Sequence, residues 1–268
     1  MYLIFFIMII TLFTSNNNRH NYLANLLSTV CDKLWIVQET KSASYKKNSD
    51  INQESGVVRQ YFSYVADAQN KFFKNQSINK NSKNIKTLSI SNGELSNLSL
   101  SFLSDFLKSD MYVVFGSSYI RGDLADHLVK NKAVNIHAGV SPYYRGTDCN
   151  FWALYDNNPH LVGATIHMLS KGLDSGPVLY HAMSNLKSNP FEYTMSTIKS
   201  AFHSIADRIK DRTIFNIEPE IQDKTKEIRY TKKNDFDEKI VKNYFKKEIN
   251  LEIKEFDISL LKNPYFLK

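Results

Sequence analysis

Short apolar runs separated by stretches of helical length constrain this chain more than any other feature of its sequence. Runs rich in Val, Ile, Leu and aromatic residues occur at Ile7–Phe13, Lys33–Val37, Ile85–Ile90, Met111–Phe115, Ala133–His137, Gly163–Leu169 and Val178–Met183. Each is short and bounded by polar residues, which predicts a strand. Between the early runs, Asn21–Cys31, Ser55–Phe73, Leu98–Leu107 and Gly122–Val129 repeat apolar residues at three- and four-residue steps, which predicts helices; Glu192–Ile209 predicts one long closing helix. The alternation predicts an α/β fold, a mostly parallel sheet with helices on both faces. Such sheets take ligands beyond the carboxyl ends of their strands, so the loops after Phe13, Phe115 and His137 are where a site is expected.

At 268 residues the chain has room for one main core, expected over residues 1–210, and a small C-terminal extension over 211–268. The net charge of +7 invites a nucleic-acid reading, but the lysines lie among Asn and Ser at Lys41–Lys86 and among Asp and Glu after Lys224. They read as solvated faces, so no nucleic-acid partner is expected. Cys31 and Cys149 have neither disulfide-framework nor zinc-type spacing, so no metal is expected and a reducing, cytoplasmic setting fits. The run Met1–Phe13 lacks the basic start and small-residue cleavage site of a signal peptide, and it is shorter than the roughly 20 residues of a spanning helix. It reads as a buried strand with surplus residues in front, and no membrane span is expected.

The informative stretch runs from Asn135 to Gly146. Residues two apart on a strand share a face, so Asn135 and His137 project together at the point where their strand stops. Farther on, Gly172 and Gly176 flank Asp174 in a turn between two strands, a way to bring one carboxylate close to a ligand. Alone, such a histidine is usually a packing or surface residue and such an aspartate a turn residue. Their joint occurrence is what points to chemistry. Thr14–His20 is a polar loop without the G-x-G-x-x-G of dinucleotide sites.

Asn135-x-His137, Ser141-Pro142-x-x-Arg145-Gly146, Trp152-Ala153, Gly163-Ala164-Thr165-Ile166-His167 and Leu173-Asp174-Ser175-Gly176 together resemble the folate-dependent formyltransferases. The likeness is clearest over Met111–His181. It implies a Rossmann-like domain that uses 10-formyltetrahydrofolate as co-substrate, with Asn135, His137 and Asp174 as the catalytic group. It also implies that the folate lies against Phe115, Gly116, Ser117, Ser118, Tyr119 and Ile120 and the loop carrying Asp174.

Within that family the resemblance is closest to the nucleotide-linked amino-sugar enzymes, through the Ser15–His20 loop and the wording from Tyr144 to Trp152. The implied partner is a nucleotide-linked amino-deoxysugar destined for a surface polysaccharide such as lipopolysaccharide. Arg19, His20, Tyr144 and Trp152 are the candidate acceptor contacts, with solvation the equal reading for Arg19 and His20 and core packing the commoner one for Trp152. Arg145 is expected to brace its own loop. A methionyl-tRNA or other small-amine acceptor, or hydrolysis of the formyl folate, is the alternative. The oligomeric state is open, a homodimer among the options.

Overall fold

The computed structural model describes residues 7–40, 55–79, 82–253 and 257–267. In chain order its strands are β1 (Ile9–Ser15), β2 (Lys33–Thr40), β3 (Ile85–Ser91), β4 (Met111–Phe115), β5 (Val134–His137), β6 (Tyr144–Gly146), β7 (Ala164–Met168), β8 (Val178–Ser184), β9 (Arg229–Thr231) and β10 (Tyr265–Leu267). The helices are α1 (Asn18–Leu27), α2 (Gly56–Phe73), α3 (Gly122–Lys130), α4 (Cys149–Tyr155), α5 (Pro190–Lys210) and α6 (Glu238–Lys246). Eight strands form one sheet in the order β10-β8-β7-β5-β4-β1-β2-β3. Only β7 runs against its neighbours β5 and β8; the other pairings among the described strands of this sheet are parallel. The mostly parallel α/β sheet is therefore the observed architecture.

Strand β1 shows why this sequence builds a two-faced sheet. Its residues alternate: Ile10 and Leu12 pack in one core with Leu23 and Leu27 of α1 and Phe202 and Ile205 of α5, while Phe13 joins Leu124 and Leu128 of α3 on the other side. A strand covered on both faces needs a nearly continuous apolar run, which is what the residues from Ile7 to Phe13 supply. The residues before Ile7 lie outside the described part. Helix α5 starts where Asn189 accepts from the amides of Phe191 and Glu192, with Pro190 at its first position.

The expected helix at Leu98–Leu107 does not form; those residues make a series of turns after a short 3-10 segment at Leu95–Asn97. Serine hydroxyls compete with the helix ladder there. Ser99 Oγ accepts from the Phe102 amide and contacts Ser101 Oγ, while Thr11 takes the Phe106 carbonyl. Helix α1 begins at Asn18, which places Arg19 and His20 in its first turn, whereas the sequence reading has them in a loop.

The segment after Lys210 is stitched to the rest of the fold by two strands, one in a separate two-stranded sheet and one at the edge of the main sheet. β9 pairs in parallel with β6, and β10 adds to the edge of β8. A third core, with Phe151 and Trp152 of α4, Tyr193 of α5 and Tyr244 of α6, packs α4 against the later part of the chain.

Candidate active site

The carboxyl ends of β4 and β5, the turn after β7 and the start of α1 surround a cavity of about 450 Å³. Asn135 and His137 stand two apart on β5, as the period of a strand requires, and both line it. Asp174 arrives from the other side in a left-handed conformation, φ 47°, uncommon for a residue other than glycine. Its Oδ2 lies 3.4 Å from His137 Nδ1 and its Oδ1 3.8 Å from His167 Nε2. The three expected catalytic residues are thus brought together.

Reversal of β7 supplies a fourth group that sequence reasoning did not assign to the site. β7 pairs antiparallel with β5 and sets His167 directly opposite Asn135. His167 Nδ1 donates to the Met168 carbonyl at 2.8 Å, and since a carbonyl can only accept, the hydrogen sits on Nδ1. In the neutral ring, Nε2 then accepts from the Asn135 amide at 3.0 Å. Two residues earlier, Thr165 donates to the Gly139 carbonyl and accepts from the Ser141 amide, pinning the loop that leaves β5. That loop must be thin: a Cβ on Gly139 would lie 2.4 Å from Cys149 Cβ and 2.7 Å from His137 Nε2.

Electrostatics at the centre follow from burial and neighbours. Burial pushes the His137 imidazole below its ordinary range, and Asp174 offsets this only in part, so the ring stays neutral at neutral pH. Burial works to raise the Asp174 carboxyl, but His137, His167 and the charge of Arg145 outweigh it and hold that group below the usual carboxylate range. His137 Nε2 makes a long 3.4 Å contact with the Tyr144 carbonyl.

Phe115, Gly116, Ser117, Ser118, Tyr119 and Ile120 all line the cavity. Ser118 is not a helix cap. Its amide and hydroxyl donate to Glu39, 2.5 and 2.6 Å away, and Glu39 also accepts from the Gly93 amide at 2.8 Å. Glu39, fully buried at the end of β2, therefore shapes the loop after β4, although nothing around it in the sequence marks it out.

The acceptor candidates divide. Arg19 lines the cavity; its Nε is buried without a hydrogen-bond partner, and the opposite charge acting on it is that of Asp148 on the same cavity wall. His20 lies beneath the wall, tilted against Phe115 with ring centres 4.9 Å apart and so close to Gly116 that a Cβ there would sit 2.4 Å from its Nε2. The Tyr144 side chain points away, donating to Asp156 and accepting from Asn158, and only its carbonyl reaches His137. Trp152 is buried under the Arg229 guanidinium, 4.6 Å from the ring centre.

The sequence profile of the family described as Formyl transferase matches residues 44–213. The chain belongs to the formyl transferase family. Over 67 residues this formyltransferase is 33% identical to the methionyl-tRNA formyltransferase of Thermodesulfovibrio yellowstonii, covering 25% of this chain and 21% of that one. It thus spans about a fifth of that curated relative's length.

Solved structures share the formyltransferase fold. A sugar N-formyltransferase from a Shewanella species matches with TM-score 0.52 and 16% identity over 85% of this chain and 78% of that one. An N-formyltransferase from Helicobacter canadensis, in complex with folinic acid and dTDP-3-aminofucose, matches with TM-score 0.51 and 12% identity over 89% and 79%. A glycinamide ribonucleotide transformylase from Symbiobacterium toebii matches with TM-score 0.51 and 14% identity over 81% and 95%. At these identities the likeness is one of fold. Among the described residues of this formyltransferase, no group of three or more His, Cys, Asp or Glu is placed to hold a metal ion, and no helix is long and apolar enough to cross a membrane.

Proposed function

We propose that this formyltransferase moves the formyl group of 10-formyltetrahydrofolate onto the amine of a nucleotide-linked amino-deoxysugar, in the cytoplasm, for a surface polysaccharide. The observation that carries the reading is the convergence of Asn135, His137 and Asp174 in one cavity of small-ligand size. The residues present fit a folate. Ile120, Leu169 and Leu173 offer apolar surface for a flat ring, and the main chain of Gly116 and Ser117 lies beside them. Phe115 to Ile120 and Asp174 are the residues that would hold it. When bound, the folate supplies an activated formyl group.

The chain's own groups then have distinct roles. Asn135 spends one amide N–H on His167 and keeps the second, and the neutral His137 ring carries an N–H. The Asn135 N–H is a donor for an acyl oxygen that gains negative charge as an amine attacks, and losing such a donor typically costs about 10²–10³ in rate; the His137 N–H is turned to Asp174 at Nδ1, which leaves Nε2 free to accept the proton that the amine sheds. Asp174, held ionised, orients the imidazole and assists in taking the proton that the amine sheds. Arg19 is the cation for an anionic group on the acceptor, such as a nucleotide phosphate. His20, Tyr144 and Trp152 serve as packing that shapes this wall.

Support for a sugar acceptor comes from the loop wording at Ser15–His20 and Tyr144–Trp152. The test incubates the protein with 10-formyltetrahydrofolate and a panel of nucleotide-linked amino-6-deoxysugars, watching by mass spectrometry for gain of one formyl group. A formylated sugar supports the reading, and Arg19→Ala should then raise KM for that sugar about tenfold with kcat little changed, the loss of one charge-assisted contact. Formylation of methionyl-tRNA or another amine alone would overturn the sugar acceptor, and release of formate alone would make the chain a hydrolase.

A further inference from the structure

Asp174 occupies an uncommon backbone conformation, and the groups that hold it there come from the far end of the chain. Gln222 Nε2 donates to the Asp174 carbonyl at 2.9 Å and to the Gly176 carbonyl at 2.7 Å, so both of its amide hydrogens are spent on this turn. Arg145 Nη2 donates to the Leu173 carbonyl at 3.1 Å, and its Nη1 pairs with Glu227 at 2.8 Å. Three of the four carbonyls from Leu173 to Gly176 are thereby tied to the segment around residues 220–227, directly or through Arg145. Its register is set next door, where Glu220 and Val178 exchange both main-chain hydrogen bonds. Gln222 itself is buried.

Gly176 leaves the turn no slack, since a Cβ there would lie 1.7 Å from the Met168 carbonyl oxygen. Asp174 therefore reaches His137 only while its own carbonyl stays fastened. We infer that Gln222 is a positioning residue for Asp174: it touches neither reactant, and it fixes the carboxylate against His137 from the C-terminal segment. This rests on the proposed formyl transfer for its kinetic consequences but not for its structural one.

The closing experiment has one arm for each. Gln222→Met keeps the reach of the side chain and removes the donors. Histidine ring NMR, with His137 assigned by the loss of its signals in His137→Gln, follows the imidazole through a pH titration. Asp174 raises the His137 midpoint, so its departure should move that midpoint further down in Gln222→Met. In the kinetic arm kcat should fall about tenfold to a hundredfold, the usual effect of displacing a reacting group by about an ångström. An unchanged His137 midpoint would overturn the inference even if activity fell. A moved midpoint in a protein that transfers no formyl group would leave the positioning role standing and overturn only the reaction. If Gln222→Met does not fold, Gln222→Glu decides: its carboxyl can donate to one of these carbonyls when protonated and to neither when ionised, so the His137–Asp174 coupling should weaken reversibly as pH rises, and a pH-independent coupling would refute the role.

Discussion

Asn135 and His167 oppose each other directly across the β5–β7 pair, the amide nitrogen 3.0 Å from Nε2 of a ring whose other nitrogen is committed to the Met168 carbonyl. The histidine thus orients an amide that itself faces the cavity. Asn135→Ala should lower kcat by about 10²–10³ with the fold unchanged, as for loss of a preorganised donor. His167→Ala should lower it by less, about tenfold, because the amide remains but its orientation is free. Steady-state kinetics beside circular dichroism check both, and a larger loss in His167→Ala would reverse the assigned order.

Glu39 accepts from three donors while fully buried. Replacing it with alanine leaves the half-buried Ser118 amide without its partner, while the amide of the exposed Gly93 can turn to water; an unpaired interior donor costs about 1–3 kcal/mol. Urea unfolding of Glu39→Ala should therefore show a loss of about 1–3 kcal/mol, together with weaker folate binding. Glu39→Gln, which keeps one acceptor oxygen, should fall between alanine and wild type.

Burial brings the His181 imidazole down to about 4 from an ordinary 6.5. Its Nε2 donates to the Ser141 carbonyl and its Nδ1 accepts from the Lys262 amide, an arrangement that only the neutral ring can make. The folded value lies below the unfolded one, so its contribution is complete above about 6.5, shrinks as pH falls and is gone below about 4. Wild type should lose about 2 kcal/mol on going from pH 7 to pH 5 from this group. His181→Gln, which keeps a donor and an acceptor but does not titrate, should remove that part of the slope in urea titrations at the two pH values.

Gly139 sits between Cys149 Cβ and His137 Nε2. Gly139→Ala should cost about 1–3 kcal/mol of stability through overpacking and should depress kcat further by pushing on the imidazole. Cys149→Ala should not rescue it, because the nearest clash is with Cβ, which alanine retains. Thermal unfolding and kinetics on the single and double variants test this.

The central strands were legible because they are apolar runs that fill a two-faced sheet; Met111–Phe115 coincides with β4. Asn135 and His137 were legible because strand periodicity puts them on one face. His167 was not assigned, since its place opposite Asn135 depends on a pairing between strands 32 residues apart in side-chain contact. Glu39 and Gln222 carry no local pattern at all; each is a single polar residue whose role exists only once distant loops meet it. The three-residue strands β6, β9 and β10 are too short to show periodicity, and at Leu98–Leu107 serine hydroxyls overrode a helical spacing.

Gln222 follows Asp174 by 48 residues. During synthesis, the strand that carries both Asn135 and His137 is made well before the residue that fastens Asp174. The contact between Asp174 and His137 thus waits on a segment made after every strand that lines the cavity.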